Sequence, residues 1–237
     1  MYSVFLLTLR QLSGRWRLTI LTVLGGMPVL IAATMLQSSS APPVQEFENY
    51  VLSAMLIGTI LPLVVLAIAS AAFSNEIEDK TLANLTLAPI PRWQIVLPKL
   101  LASICIVVPF MVLSAFYTGY IAFSGDWLAA IALTAAALIG VVLYSSAFVW
   151  LGLKTTRAIG YGLLYIVLWE GFFSRYVAGV RFLSIRYYSI GWMRGFDPRR
   201  FVNSDDFSFA FAIGASVIVL VGFVLLTIRR LRRMDVP

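Results

Sequence analysis

Long apolar runs separated by short polar stretches set the pattern of this chain. Six of the runs, near Leu18–Leu36, Val51–Phe73, Leu100–Phe123, Leu128–Leu153, Ala158–Ser174 and Ser208–Ile228, have the length a helix needs to cross hydrocarbon, which is roughly 20 residues for a core of about 30 Å. Apolar residues continue through each run without alternating with polar ones, so the pattern predicts an all-α bundle of six transmembrane helices rather than a barrel of short strands. The opening MYSVFLLTLRQLSGRWR, residues 1–17, is different. Its apolar part is too short to span and precedes the Arg residues, the reverse of a secretory signal. It predicts an amphipathic helix at the membrane surface, with Val4, Phe5, Leu9, Leu12 and Trp16 against lipid and Arg10, Ser13 and Arg17 toward water.

Composition agrees with a membrane protein. Of 237 residues, 60% are hydrophobic and 12% charged, and the mean hydropathy is +0.91, well outside the range of soluble domains. No linker divides the chain, so a single transmembrane domain over 1–237 is expected. An even number of spans puts both termini on one side, and the distribution of Lys and Arg says which. With the termini inside, twelve cations (Arg10, Arg15, Arg17, Lys80, Arg92, Lys99, Lys154, Arg157, Arg229, Arg230, Arg232, Arg233) are cytoplasmic. Six (Arg175, Arg181, Arg186, Arg194, Arg199, Arg200) are outside, all in one long loop. The chain therefore reads as a multi-pass protein of the cell (inner, cytoplasmic) membrane with both termini in the cytoplasm. Its net charge of +7 gathers at span ends, where membrane lipid supplies anionic headgroups; nucleic acid is not an expected partner.

Catalytic chemistry is largely excluded. Histidine is absent and Cys105 is the only cysteine, which removes His or Cys metal clusters, disulfides and His-based triads; no cofactor is implied, and Cys105 is expected to pack within span three. No GxxxxGK[ST] loop is present, so any ATP that drives this protein binds another subunit. Glu170, in LWEG, is the one acidic residue inside a span. A carboxylate in hydrocarbon must face protein, water or a cation, and Arg175, five residues on, is the candidate partner. The pair reads either as an anchor for the outer loop or as a substrate or proton site.

Between spans two and three, Ser74 to Lys99 reads SNEIEDKTLANLTLAPIPRWQIVLPK. Asn75 with Glu78 has capping-box spacing, which would place Glu76, Glu78 and Asp79 in the first turn of a short helix, where the dipole favours negative charge. Glu76 would pair with Lys80, and Pro89 and Pro91 would stop the helix. The same residues also fit a solvated inter-span loop.

Glu76, Thr81-Leu82, Leu87, Pro89, Pro91-Arg92 and Lys99 together resemble the loop after the second span of ABC-2 type permeases, the membrane subunits of ABC exporters. The six runs, the amphipathic start and the long final outer loop resemble the same family, although Ala83 follows Leu82 where a glycine is usual near the Thr. The resemblance implies that residues 74–98 form a cytoplasmic coupling helix docking on an ABC ATP-binding subunit, with Glu76, Ile77, Glu78, Asp79, Lys80, Thr81, Leu82 and Leu85 at the contact. It also implies a second permease subunit, as homodimer or heterodimer, enclosing an export path, and re-entrant outer helices between spans five and six. A haem-exporter-like or cofactor-assembly permease would share this layout. A membrane scaffold, or an intramembrane enzyme using Glu170, is the reading from a different class.

In the outer loop, 175–207, aromatic residues mix with Arg, Arg181 and Arg186 among them; this composition suits the interface, and Tyr176–Ile190 is expected to form a short helix pair. In span four, Ala132, Ala136 and Gly140 make a small-residue stripe for close helix packing. Pro28, Pro62 and Pro109 mark kinks in spans one, two and three.

Overall fold

The computed structural model describes residues 2–37, 47–79, 91–201 and 208–234. Among these residues every regular element is helical. A short α1 (Tyr2–Leu12) is followed after Ser13 and Gly14 by α2 (Arg15–Gln37). The next helix, α3, runs as π-helical Glu48–Ile60 and then as α-helical Leu61–Ala69 and Ala71–Glu78. After it come α4 (Trp93–Ala122) and α5 (Trp127–Lys154). The helix α6 starts as Ala158–Leu164, widens to a π-helix over Tyr165–Phe173 and closes with Ser174–Tyr176. A 3-10 turn, Ala178–Leu183, leads into α7 (Ile185–Phe196), and α8 (Phe209–Arg233) is the last element.

Five of these helices are long and apolar enough to cross a membrane: Arg15–Met35, Tyr50–Glu78, Trp93–Ala122, Trp127–Lys154 and Phe209–Arg233. The fifth expected span is a shorter apolar helix, Ala158–Phe173. Span three begins two turns earlier than its apolar run, at Trp93, because Pro98 and Lys99 are carried inside the helix. Two further expectations need correction. The first helix stops at Leu12, so Trp16 and Arg17 belong to α2; Thr8 and Leu12 are buried against protein, whereas Trp16 is 83% exposed. Cys105 does not pack inside the bundle but lies exposed on α4.

The centre of the fold is α5, which packs against α3, α4, α6, α7 and α8. It forms a hairpin with α4 through the turn at 123–126, and Asp126 caps its first turn by accepting from Leu128 N at 3.0 Å and Ala129 N at 3.5 Å. The small-residue stripe works within the chain: Ala132, Ala136 and Gly140 are buried, and a Cβ on Gly140 would stand 3.1 Å from both Leu61 of α3 and Ser189 of α7. Small residues let backbones approach so that dispersion contacts accumulate, which is the main attraction between helices in lipid. In contrast, α2 and α8 turn large side chains such as Leu30, Ile218 and Leu225 outward.

The prolines explain part of the helix geometry. Pro62 follows directly on the π-helical stretch of α3, where Leu61 N donates to Leu56 O, five residues back. A proline ring clashes with the carbonyl four residues earlier, and the wide π turn relieves that clash inside an otherwise continuous helix. Pro28, Pro98 and Pro109 lie within α2 and α4 without ending them.

At Gly152 the approach of α5 to α3 leaves no room for a side chain, since an added Cβ would lie 2.2 Å from the Ser70 carbonyl oxygen and 3.0 Å from its Cα. The obstacle is backbone and does not rotate away. Gly152→Ala is therefore expected to cost about 1–3 kcal/mol and to lower the apparent melting temperature of the detergent-solubilised protein. Gly222→Ala, where nothing lies within 4 Å, is expected to leave it unchanged; equal melting of the two variants would refute the close contact.

Candidate functional site

Two buried charged centres stand at opposite ends of α3. The first closes the base of the segment that joins α3 to α4. Lys99, in the second turn of α4, is fully buried among apolar side chains. Its ammonium donates to Glu76 Oε1 at 2.5 Å and to the Ala72 carbonyl at 2.6 Å, and it lies 4.6 Å from the centre of the Phe73 ring. Three donors thus meet two oxygens and an aromatic face. Both acceptors and the ring belong to the last turns of α3, so one side chain ties span two to span three.

This arrangement corrects the expected cap. Asn75 lies inside the helix Ala71–Glu78 rather than at the start of a new one. Glu76 and Glu78 occupy its last turn, where the dipole disfavours carboxylates, and the Lys99 charge offsets this. Ile77 packs on the core while Glu78 and Asp79 are exposed at the helix end. The remaining residues of the anticipated contact, Lys80, Thr81, Leu82 and Leu85, lie outside the described residues, as does the expected Glu76–Lys80 pair.

The second centre surrounds Glu170, in the π-helical part of α6. Its carboxylate is fully buried and accepts from Tyr165 Oη at 2.9 Å, from Ile185 N at 3.1 Å and from the Ser184 hydroxyl. Tyr165 and Glu170 are five residues apart, the hydrogen-bond interval of a π-helix, and this local widening brings them together. Ser184 is the N-cap of α7 and Ile185 its first residue, with an amide that has no partner inside the helix. One carboxylate thus satisfies the start of α7 and holds it against α6. The side chain of Arg175, the expected partner, lies outside the described residues.

Arg186, expected at headgroups, points into the protein instead. Its guanidinium donates to Ser53 Oγ at 3.0 Å, and a Cβ on Gly58 would stand 3.0 Å from Arg186 Nε; the bare backbone of α3 makes room for it. Arg181 and Arg186 both lie near the Tyr187 ring, at 5.6 and 5.9 Å. Burial, and then the negative charge of Glu170, push the Tyr188 phenol above its usual range, so it remains protonated and donates to the Phe182 carbonyl. Further along the same loop, Arg200 reaches Asp126 Oδ2 at 3.2 Å and covers the Phe123 ring at 4.9 Å. Sequence reasoning missed Asp126, Ser53 and Ser184 as partners. The signal for Ser184 was present, since serine before a run that can form a helix is a common cap. Chemically, Glu170 has its acceptors filled by donors of the fold, a phenol, a hydroxyl and a backbone amide.

Removing either member of a buried pair leaves a charge unmatched, at about 3–5 kcal/mol, whereas removing both is far milder. Glu76→Gln and Lys99→Met are each expected to destabilise the protein strongly and the double variant to recover much of the loss; simple additivity in a double-mutant cycle would show that the two residues are not coupled. For Glu170→Gln the expected result is faster hydrogen exchange at the start of α7 and a loss of about 1–3 kcal/mol from the disturbed acceptors. Unchanged exchange at Ile185 would contradict the anchoring role.

No curated protein matches the chain. The family described as "ABC-2 family transporter protein" matches residues 7–187, a stretch that holds both centres and all helices from α2 to α6. With this match and its apolar helices, the chain belongs to the ABC-2 transporter family as a multi-pass membrane protein.

Proposed function

We propose that the chain is the permease subunit of an ATP-driven exporter, with six spans, both termini in the cytoplasm and the segment after span two docked on a separate ATP-binding subunit. A second permease subunit would complete the path. The observation that carries this reading is the Lys99 tie to Glu76 and Ala72. Force applied to the segment between α3 and α4 reaches two spans at once, because its two ends are locked by short charge-assisted hydrogen bonds. Family membership supports a partner ATPase of the ABC type.

Ile77, Glu78 and Asp79, with residues 80–90 that follow, would form the contact. Glu78 and Asp79 are exposed and hold no part of the buried tie, so they offer charge to a partner without cost to the fold. The α6–α7 junction at Glu170 would work at the far end of the path, where α7 and the preceding 3-10 turn would form the outer closure. Cycles of ATP binding would draw the two inner segments together, and the spans would tilt about the α5 packing.

The test is reconstitution with the candidate ATPase. Reversal of both exposed acids, Glu78→Lys with Asp79→Lys, is expected to leave the melting temperature within a degree or two. The same change should strip the ATPase from the purified complex and abolish permease-stimulated, vanadate-sensitive ATP turnover. Intact assembly and turnover in that double variant would overturn the assignment of the contact.

A further inference from the structure

A crevice of about 140 Å³ opens between α5, α6 and α8, lined by Phe148, Trp150, Leu151, Tyr161, Tyr165 and Phe223. Its walls are rings and aliphatic groups; Trp150 meets Phe223 at 5.7 Å and Phe148 meets Tyr165 at 6.3 Å. Apolar space of this kind is not filled by water. In a bilayer the material at hand is an acyl chain, and the volume holds four or five methylenes if each takes the ~30 Å³ of a water molecule.

The depth of the crevice relative to nearby charge identifies the kind of lipid. Trp150 precedes Lys154 by four residues and Tyr161 follows Arg157 by four, a rise of about 6 Å in each case. Phe223 lies six and seven residues before Arg229 and Arg230, about 9–10 Å. The crevice therefore sits at acyl depth, below a rim of cations. Lys154, Arg157, Arg229 and Arg230 are all exposed. The Lys154 ammonium rests 4.9 Å from the Trp150 ring centre, directly above the crevice wall. Neither Lys154 nor Arg157 joins an ion pair among the described residues. No Asp or Glu occurs from Ala147 to Tyr165, nor from Ser208 to Met234, so these two stretches bring cations and no acid to the rim.

We propose that this crevice is a binding site for one anionic phospholipid, with an acyl chain between Trp150, Tyr161 and Phe223 and the phosphate at Lys154 and Arg157. A zwitterionic lipid would offer the same chain but add a positive group to an already cationic rim, so the site selects by charge. The site requires only that the chain spans a membrane, and it stands apart from the docking of any ATPase.

Tryptophan quenching by acyl-brominated lipids tests this on the full chain in nanodiscs of phosphatidylcholine. At a few mole per cent, brominated phosphatidylglycerol is expected to quench a Trp population that brominated phosphatidylcholine does not, and excess unlabelled phosphatidylglycerol is expected to reverse it. The selectivity should fall about fivefold for each cation removed, as in Lys154→Gln and Arg157→Gln. Trp150→Phe should remove the selectively quenched component. Arg232→Gln with Arg233→Gln should spare it. Equal quenching of the unaltered protein by both lipids would overturn the proposal whether or not any variant folds, and so would selective quenching that persists undiminished in Trp150→Phe.

Discussion

Hydrocarbon offers no hydrogen bonds, so every polar group that enters it must be satisfied by the protein itself. That constraint organises the functional half of this structure. Lys99 is held by a carboxylate, a carbonyl and a ring, all from the end of α3; Glu170 is held by a phenol, a hydroxyl and a helix-initiating amide. Each of these buried groups ties two helices together, Lys99 of α4 to α3 and Glu170 of α6 to α7. Polar burial here specifies which elements touch, a role for which apolar contact has little discrimination in lipid.

Packing around α5 supplies the frame on which these ties act. Small residues on its faces bring the backbone of α3 close at Gly152 and side chains of α3 and α7 close at Gly140. Close approach fixes the height of one helix against the next, because a shift along the axis would drive a side chain into backbone. The acceptors of Lys99 and the donors to Glu170 are thereby set within the short range that charge-assisted hydrogen bonds need.

Much of this was legible in the sequence, and the failures have physical causes. The positions of α2, α3, α4, α5 and α8 follow from apolar runs alone, since a lipid-facing helix has few other options. The start of α4 was misjudged because a lysine reads as a boundary, yet Lys99 is buried where Glu76 matches its charge. Asn75 reads as a cap because its spacing to Glu78 is favourable, but α3 simply continues through it, which costs less than interrupting a helix at the membrane edge. Glu170 stands out within its apolar run, but its partners do not, because Ser184 and Ile185 are 14 and 15 residues away and meet it only through the turn that joins α6 to α7. The π-helical widening that joins Tyr165 to Glu170 has no proline to announce it, unlike the one before Pro62.

The two centres share α3. Its last turns receive Lys99, and its π-helical first half receives Arg186 at Ser53 and Gly58. Between them Leu56, Ile57, Leu61 and Val65 are fully buried, so the helix is clamped along its length and does not rotate freely between its ends. A displacement imposed at Glu76 therefore moves the Ser53 end as well, unless the π-to-α transition at Pro62 absorbs it. At that transition the hydrogen-bond ladder of α3 changes its interval, and a ladder that already accommodates two spacings exchanges them at lower cost than a regular helix. In the proposed transport cycle, Pro62 would set how much of an inner movement arrives at α7. The chain thus concentrates close packing in α5 and a changing hydrogen-bond interval in α3, the helix that meets Lys99 at one end and Arg186 of α7 at the other.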